Sequence, residues 1–207
     1  CKVPDGQPEE LRGLPRGVVV NGVTARGSLG FPFIPGRFPI TGEANLILAM
    51  VAFEDAPPFS DTALEYLGPQ VERIYEWADF FSQGTFRYNF QIVEEWIEIP
   101  MASTEVPADD ETIARMILER FPDSIDYESV DGTFVLWAPG IDGGDRHDFG
   151  VRVGSNEGGF VLGEKRPGLF WAPSEWHVED TNGALTIELK RDYTWAHLIH
   201  EMQHEQG

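Results

Sequence analysis

A continuous apolar run in the first third of the chain limits the folds that this sequence can adopt. Residues 45–53 contain eight consecutive apolar side chains, and acidic residues followed by Pro57 and Pro58 come next. The run is far shorter than a transmembrane helix requires, and it lacks the polar alternation of a strand that has one face in water. It therefore predicts a central strand that is buried on both faces.

Helical and strand-like segments alternate after this run. A helix is predicted over residues 61–82, capped by Asp61 and ended by Gly84. A second helix is predicted to begin at Asp109 or Asp110 and to close at Pro122. Strands are predicted at residues 85–99, 133–138, 159–162, 169–171 and 185–189. This order predicts an α/β (α+β) domain over residues 45–207, a mixed sheet packed on helices, after a Pro- and Gly-rich leader at residues 1–44.

The charge balance restricts the partners of this chain. Fifteen Lys and Arg residues stand against 35 Asp and Glu residues, which gives a net charge of −20. Such a charge repels nucleic acid and anionic lipid, whereas it leaves protein or peptide partners open. No apolar segment of the sequence reaches the length of a transmembrane segment.

Cys1 is the only cysteine, so the chain cannot form an internal disulfide. A leading cysteine is also the first residue of a mature bacterial lipoprotein, in which the thiol carries the lipid. The alternative interpretation is that Cys1 marks a fragment boundary.

The residues with the clearest chemistry lie in the last eight positions. His200, Glu201 and His204 follow the pattern H-E-x-x-H, and a helix capped by Asp192 or Thr194 is predicted to carry them over residues 193–207. Histidines four residues apart lie on one helix face, so both imidazoles can bind one Zn²⁺. Glu201 would then act as general base toward the water that the metal activates. At about 100° per residue, the opposite side of the helix carries the apolar residues Trp195, Leu198, Ile199 and Met202.

A catalytic zinc also needs a third protein ligand. Gly207 suits a turn that sends the chain back toward the metal, so we expect the third ligand outside this chain and weak zinc binding by the chain alone. His197 shares the side of His200, but three ligands on successive turns of one straight helix diverge along its axis. His197 is therefore interpreted as lining the cleft, as supporting a ligand, or as a polar residue at the helix start.

Two acidic segments and one aromatic segment are weaker candidates. The Asp- and Gly-rich residues 142–148, and the acids between Asp123 and Asp131, can either ligate Ca²⁺ or form solvated turns. His177, beside Trp176, either lines a substrate cleft or packs within a loop. The sequence has no Gly-rich phosphate loop, no G-x-S-x-G pattern and no Cys–His pair, so it does not indicate nucleophilic catalysis.

The order of these pieces resembles the secreted bacterial metalloproteases of the immune inhibitor A type. The resemblance spans residues 45–207 and rests on the segments LILAMVAFEDAPP, YEWADFFSQGTFRYNF, VEEWIEIP, DYESVDGTFVLWAPG and AHLIHEMQHEQG. It implies a zincin fold, zinc-dependent endopeptidase activity, bound calcium in many members, and a protein that is secreted or attached to the cell envelope. Gln203 stands where such proteins usually have Gly, whereas Gly207 matches the family pattern.

These features predict a zinc-dependent endopeptidase, of which this chain is the N-terminal portion of the catalytic domain. His200 and His204 are the predicted metal ligands, Glu201 is the predicted base, and an edge strand within residues 85–99 is expected to align a peptide substrate. The alternative is a non-catalytic cell-surface binding or structural module on a degenerate zincin scaffold, which Gln203 favours. A zinc hydrolase that acts on other substrates would share the same motif.

Overall fold

The long strand Gly42–Phe53 lies at the centre of a mixed sheet, as its apolar sequence predicts. The structure, a computed structural model, describes residues 19–20, 23–24, 38–39, 41–107, 109–138, 151–154, 159–172 and 194–206. In these ranges the strands are β1 (Val19–Val20), β2 (Val23–Thr24), β3 (Gly42–Phe53), β4 (Phe86–Ile92), β5 (Ile97–Ile99), β6 (Gly132–Trp137), β7 (Val151–Val153), β8 (Phe160–Leu162) and β9 (Lys165–Ala172). The helices are α1 (Ala63–Ser82), α2 (Asp110–Leu118) and α3 (Thr194–Gln206), with a 3-10 helix at Ser103–Glu105.

The main sheet follows the order β4-β3-β6-β9-β7, with β5 beside β3 beyond the end of β4 and β8 beside β9. β3 is parallel to β4, β5 and β6, and β6 is parallel to β9. β7 and β8 run antiparallel to β9. In the register, Leu46 of β3 pairs with Phe90 on one side and with Gly132 on the other. The predicted α/β class with a mixed sheet is confirmed.

Helices cover both faces of the sheet because the two helical crossovers run in opposite directions across β3. α1 connects β3 to β4 on one side, and α2 connects β5 to β6 across to the other side. Right-handed crossovers in opposite directions place their helices on opposite faces. Accordingly, Ile47, Ala49 and Val51 lie in the core with α2, whereas Leu46, Leu48 and Met50 lie in the core with α1 and α3. β3 is therefore buried on both faces, which explains why its sequence does not alternate.

The predicted helices are present, with small differences at their ends. α1 begins after Thr62 rather than after Asp61, and the Thr62 hydroxyl accepts a hydrogen bond from the backbone N–H of Glu65. Gln83 in the left-handed conformation, with φ of 53°, ends α1 just before Gly84. α2 is capped by Asp109 and ends at Leu118, before the predicted stop at Pro122. No helix in the described ranges is both long and apolar enough to cross a membrane.

The single strand predicted over residues 85–99 is instead two strands, β4 and β5, which pair with successive parts of β3. Between them, the indole N–H of Trp96 donates to the carbonyl of Ser60, and its ring packs against Phe59 at a centroid distance of 5.1 Å. These contacts with the loop before α1 take the chain out of the sheet ladder. The separation of β4 and β5 is therefore a tertiary effect.

The remaining strand predictions have mixed outcomes. Strands β6, β8 and β9 confirm the strands predicted at residues 133–138, 159–162 and 169–171. β3 begins at Gly42, within the stretch assigned to the leader, and β1 and β2 form a short antiparallel pair in that stretch. The strand predicted at residues 185–189 lies outside the described residues.

Candidate functional site

Helix α3, which carries the H-E-x-x-H residues, lies on the same face of the sheet as α1. At its start, the backbone N–H of Trp195 donates to Gln70 Oε1, and the hydroxyls of Thr194 and Tyr66 are 2.6 Å apart. At its end, Gln206 Oε1 accepts a hydrogen bond from the hydroxyl of Tyr88, near the beginning of β4. The first turn of α1 lies near the end of β4, where the backbone N–H of Leu64 donates to the carbonyl of Glu94. α3 therefore runs from the side of the sheet where β4 ends toward the side where β4 begins.

The apolar side of α3 forms part of the protein core. Leu198, Ile199 and Met202 are buried, and they share a hydrophobic cluster with residues of α1, β3 and β6. Trp195 is partly buried at the margin of this cluster. The predicted packing face is confirmed. Because this side is closely packed, the orientation of α3 and of its polar side chains is constrained.

The glutamate of the motif is buried, whereas its first histidine is exposed. Glu201 is 6% exposed, and the side chain of His200 is 65% exposed. Glu201 Oε1 lies 3.9 Å from His200 Nε2 and 4.0 Å from His197 Nε2. These separations are longer than hydrogen bonds, but they place the three side chains in one cluster. The structure therefore brings His197, His200 and Glu201 together at one position on α3.

The burial of Glu201 follows from its position around the helix axis. Thr194, Leu198, Glu201 and Glu205 lie within about 60° of one another at the usual rotation per residue. All four are nearly fully buried. The buried arc of α3 is thus wider than its apolar residues alone and includes two carboxylates. The helical spacing of the motif predicts Glu201 on the polar face and does not single out Glu205. The four-residue spacing of the two glutamates is the signal that could have identified it.

The metal-binding set is described only in part. His204 lies within α3, but its side chain is outside the described part of the structure, so its role as a ligand stays a prediction. Among the side chains that are described, no group of three or more His, Cys, Asp and Glu residues is arranged to hold a metal ion. His200 and Glu201 fit zinc chemistry, because His200 is an accessible imidazole on a helix and the carboxylate of Glu201 lies beside it.

The acids between Asp123 and Asp131 make backbone contacts that shape a turn. The backbone N–H of Asp126 donates to Gln91 Oε1, and its carbonyl accepts from Gln91 Nε2. Asp131 accepts a hydrogen bond from the backbone N–H of Asn45. Burial raises the pKa of Asp131, and this hydrogen bond partly opposes the rise. These contacts favour the turn interpretation of the segment. The Asp-rich residues 142–148 and His177 lie outside the described residues.

No protein-family model matches this chain, and no curated protein matches it either. The basis for a functional proposal is therefore the geometry of α3 and of the side chains around Glu201.

Proposed function

We propose that this chain carries the active-site helix of a zinc-dependent endopeptidase. The observation that carries the proposal is the pair on α3, in which the buried carboxylate of Glu201 lies 3.9 Å from the exposed imidazole of His200. His200 and His204, four residues apart in one helix, are the proposed metal ligands. Bound zinc would supply Lewis-acid polarisation of the scissile carbonyl and would lower the pKa of a water molecule.

Glu201 is the proposed general base. Its carboxylate would accept a proton from the attacking water and later donate that proton to the leaving amine, so that a peptide bond becomes a carboxylic acid and an amine. The buried residues Leu198 and Met202 hold α3 against the sheet, which sets the position of this carboxylate. His197 Nε2 lies 4.0 Å from the same carboxylate.

The architecture is compatible with the zincin-like domain that we propose. A mixed sheet packed on helices, with the motif on the last described helix, is the arrangement that the resemblance implies. Among the described strands, β4 lies at one end of the main sheet, which supports the expected edge strand within residues 85–99. The alignment of an extended peptide along β4 belongs to the proposal, as do export from the cell and bound calcium.

Substitution of Glu201→Gln tests the proposed base. Loss of a general base lowers the rate by about 10²–10⁴-fold, so kcat for peptide hydrolysis should fall by roughly this factor. The zinc content should stay at the wild-type value, because Glu201 is not a proposed ligand. Hydrolysis of a fluorogenic peptide library and elemental analysis of the purified protein measure the two quantities.

Glu205→Gln is the matched control, because it neutralises a second buried carboxylate one turn further along the same helix. We expect it to retain hydrolysis and zinc. Hydrolysis retained by the Glu201→Gln protein with its zinc still bound would overturn the assigned base. Equal losses in both variants would instead indicate destabilisation of α3, which circular dichroism and thermal melting detect.

One observation favours a second function, a non-catalytic binding or structural module on a degenerate zincin scaffold. Gln203, an exposed residue of α3, departs from the glycine that is usual at this position in the resembling family. If the protein is such a module, the wild-type protein will neither retain stoichiometric zinc nor hydrolyse peptides. Peptide hydrolysis and zinc content, measured on the wild-type protein, therefore distinguish the endopeptidase from the binding module.

A further inference from the structure

The C-terminal end of α1 exposes a cluster of aromatic rings. Phe80 and Phe81 are 75% and 63% exposed, more than the other large apolar side chains in the described ranges. The ring centroids of Phe80 and Phe81 are 5.1 Å apart, and those of Trp77 and Phe81 are 4.8 Å apart. Trp77 is partly buried against the core, so it anchors the cluster to the protein. Contiguous exposed apolar surface of this kind marks an interaction site.

The helix that carries these rings is negatively charged. Glu76 and Asp79 are exposed in its last two turns, and no basic residue lies in the last turn. Arg73 is the only base in α1, against the acids Glu65, Glu72, Glu76 and Asp79. The carbonyl end of a helix also carries about half a negative charge. A partner with positive charge is therefore attracted to this end of α1.

An open cleft lies beside Asp79, and the three rings are not among its lining residues. It has a volume of about 680 Å³ and lies between the end of α1 and the first residues of β3 and β4. Asp79 and Glu43 are among its lining residues. Arg87, which also lines the cleft, forms a salt bridge with Glu43. The cleft can therefore receive a basic side chain beside the carboxylate of Asp79.

We propose that Trp77, Phe80, Phe81, Glu76 and Asp79, here named the α1 terminal surface, bind a basic amphipathic segment of another polypeptide. The apolar side chains of the segment cover the rings, while its Lys or Arg groups lie against the carboxylates and the ring faces, which attract cations. A second copy of this chain would bring two molecules of net charge −20 together. The same repulsion opposes binding of nucleic acid and anionic lipid, so the charge of the protein favours a basic polypeptide as the partner. This proposal is independent of the zinc chemistry on α3.

The test uses the 207-residue chain and a fluorescein-labelled peptide. The peptide has about four helical turns, with Leu on one face and Lys on the other. Fluorescence anisotropy should show saturable binding that weakens as salt is added. The double substitution Phe80→Ser and Phe81→Ser should weaken binding at least about tenfold. The double substitution Glu76→Gln and Asp79→Asn should weaken it about fivefold at low salt. All four side chains are exposed, so both variants should keep the wild-type circular dichroism spectrum.

Leu64→Ser is the matched control, because Leu64 is an apolar side chain, 39% exposed, at the other end of the same helix. It should bind the peptide within about twofold of the wild-type affinity. Equal affinities of the phenylalanine variant and of Leu64→Ser would overturn the proposal. Equal binding of a peptide with Glu in place of Lys would also overturn it. A dimer in sedimentation equilibrium that the phenylalanine variant disperses would assign the surface to a second copy instead.

Discussion

Glu201 and Glu205 are two carboxylates buried one turn apart on a helix that packs into the core, with exposed fractions of 6% and 3%. Burial of a charged group is costly unless other groups compensate it, and proteins depart from such rules mainly at functional sites. The carboxylate of Glu201 lies 4.0 Å from His197 Nε2 and 3.9 Å from His200 Nε2. This local environment is the reason for placing the base at Glu201 and not at an exposed acid.

Gly168 occupies a position that excludes a Cβ atom. Its φ is +65°, and a Cβ at this position would lie 2.3 Å from the carbonyl oxygen of Asp131. We predict that Gly168→Ala lowers the free energy of unfolding by more than about 2 kcal/mol, because backbone strain and overlap with a neighbouring backbone add. Urea denaturation measures the change.

Gly163→Ala is the control for this prediction. Gly163 has φ of +60°, but nothing lies within 4 Å of a Cβ built there. Its substitution should therefore cost only the backbone strain, about 1 kcal/mol. Losses of the same size in both variants would show that the close approach between Gly168 and Asp131 does not matter.

Tyr127 makes the stability of the protein sensitive to alkaline pH. Burial and the charge of Asp123 raise the pKa of its phenol to about 12. The folded state then holds the proton more tightly than the unfolded chain, whose tyrosine pKa is about 10. This contribution to stability is full below about pH 10 and is lost as pH rises toward about 12.

Substitution of Tyr127→Phe should reduce this alkaline loss. The Tyr127 hydroxyl is buried and has no hydrogen-bond partner in the described structure, so the substitution should change stability by less than about 1 kcal/mol near pH 7. Urea midpoints measured from neutral to alkaline pH give both the change in stability near pH 7 and the loss of stability at alkaline pH. A dependence on pH identical to that of the wild-type protein would contradict the assignment.

At the scale of elements, one ammonium group links the β8–β9 hairpin to α2. Lys165 Nζ donates hydrogen bonds to the carbonyls of Leu118 and Phe121, at 2.6 Å and 3.2 Å, just at and after the end of α2. A positive charge is favourable at this end of a helix. We predict that Lys165→Met lowers the free energy of unfolding by about 1–2 kcal/mol in urea denaturation. The exposed neighbour Arg166, changed to Met, should stay within about 0.5 kcal/mol of wild type. If Lys165→Met lowers the free energy of unfolding less than Arg166→Met does, the capping role of Lys165 is contradicted.

Some elements could be predicted from the sequence, because the signals that define them are local. The apolar run of β3, the spacing of apolar residues in α1 and the cap at Asp109 all act within a few residues of the chain. The separation of β4 from β5 could not be predicted in this way. It depends on Trp96, which packs against Phe59 and donates to Ser60, far away in sequence.

At the scale of the whole molecule, the net charge of −20 opposes folding through self-repulsion. The salt bridges Arg87–Glu43 and Arg115–Glu111 in the described ranges are exposed and offset little of this repulsion. We predict that raising NaCl from about 0.02 M to about 0.5 M increases the urea midpoint, with most of the change below about 0.15 M. A midpoint that falls or stays constant over this range would contradict the prediction.

The sequence by itself determined which residue types lie on α3, which of its sides is apolar, and that a doubly buried strand lies within an α/β domain. Periodicity, caps and motif spacing are local properties that hold in any surroundings. Only the tertiary structure decided that Glu201 and Glu205 are buried and that the start of α3 packs against α1. Burial at the margin of a helix face depends on the elements packed around it, and these follow from strand order and crossover direction.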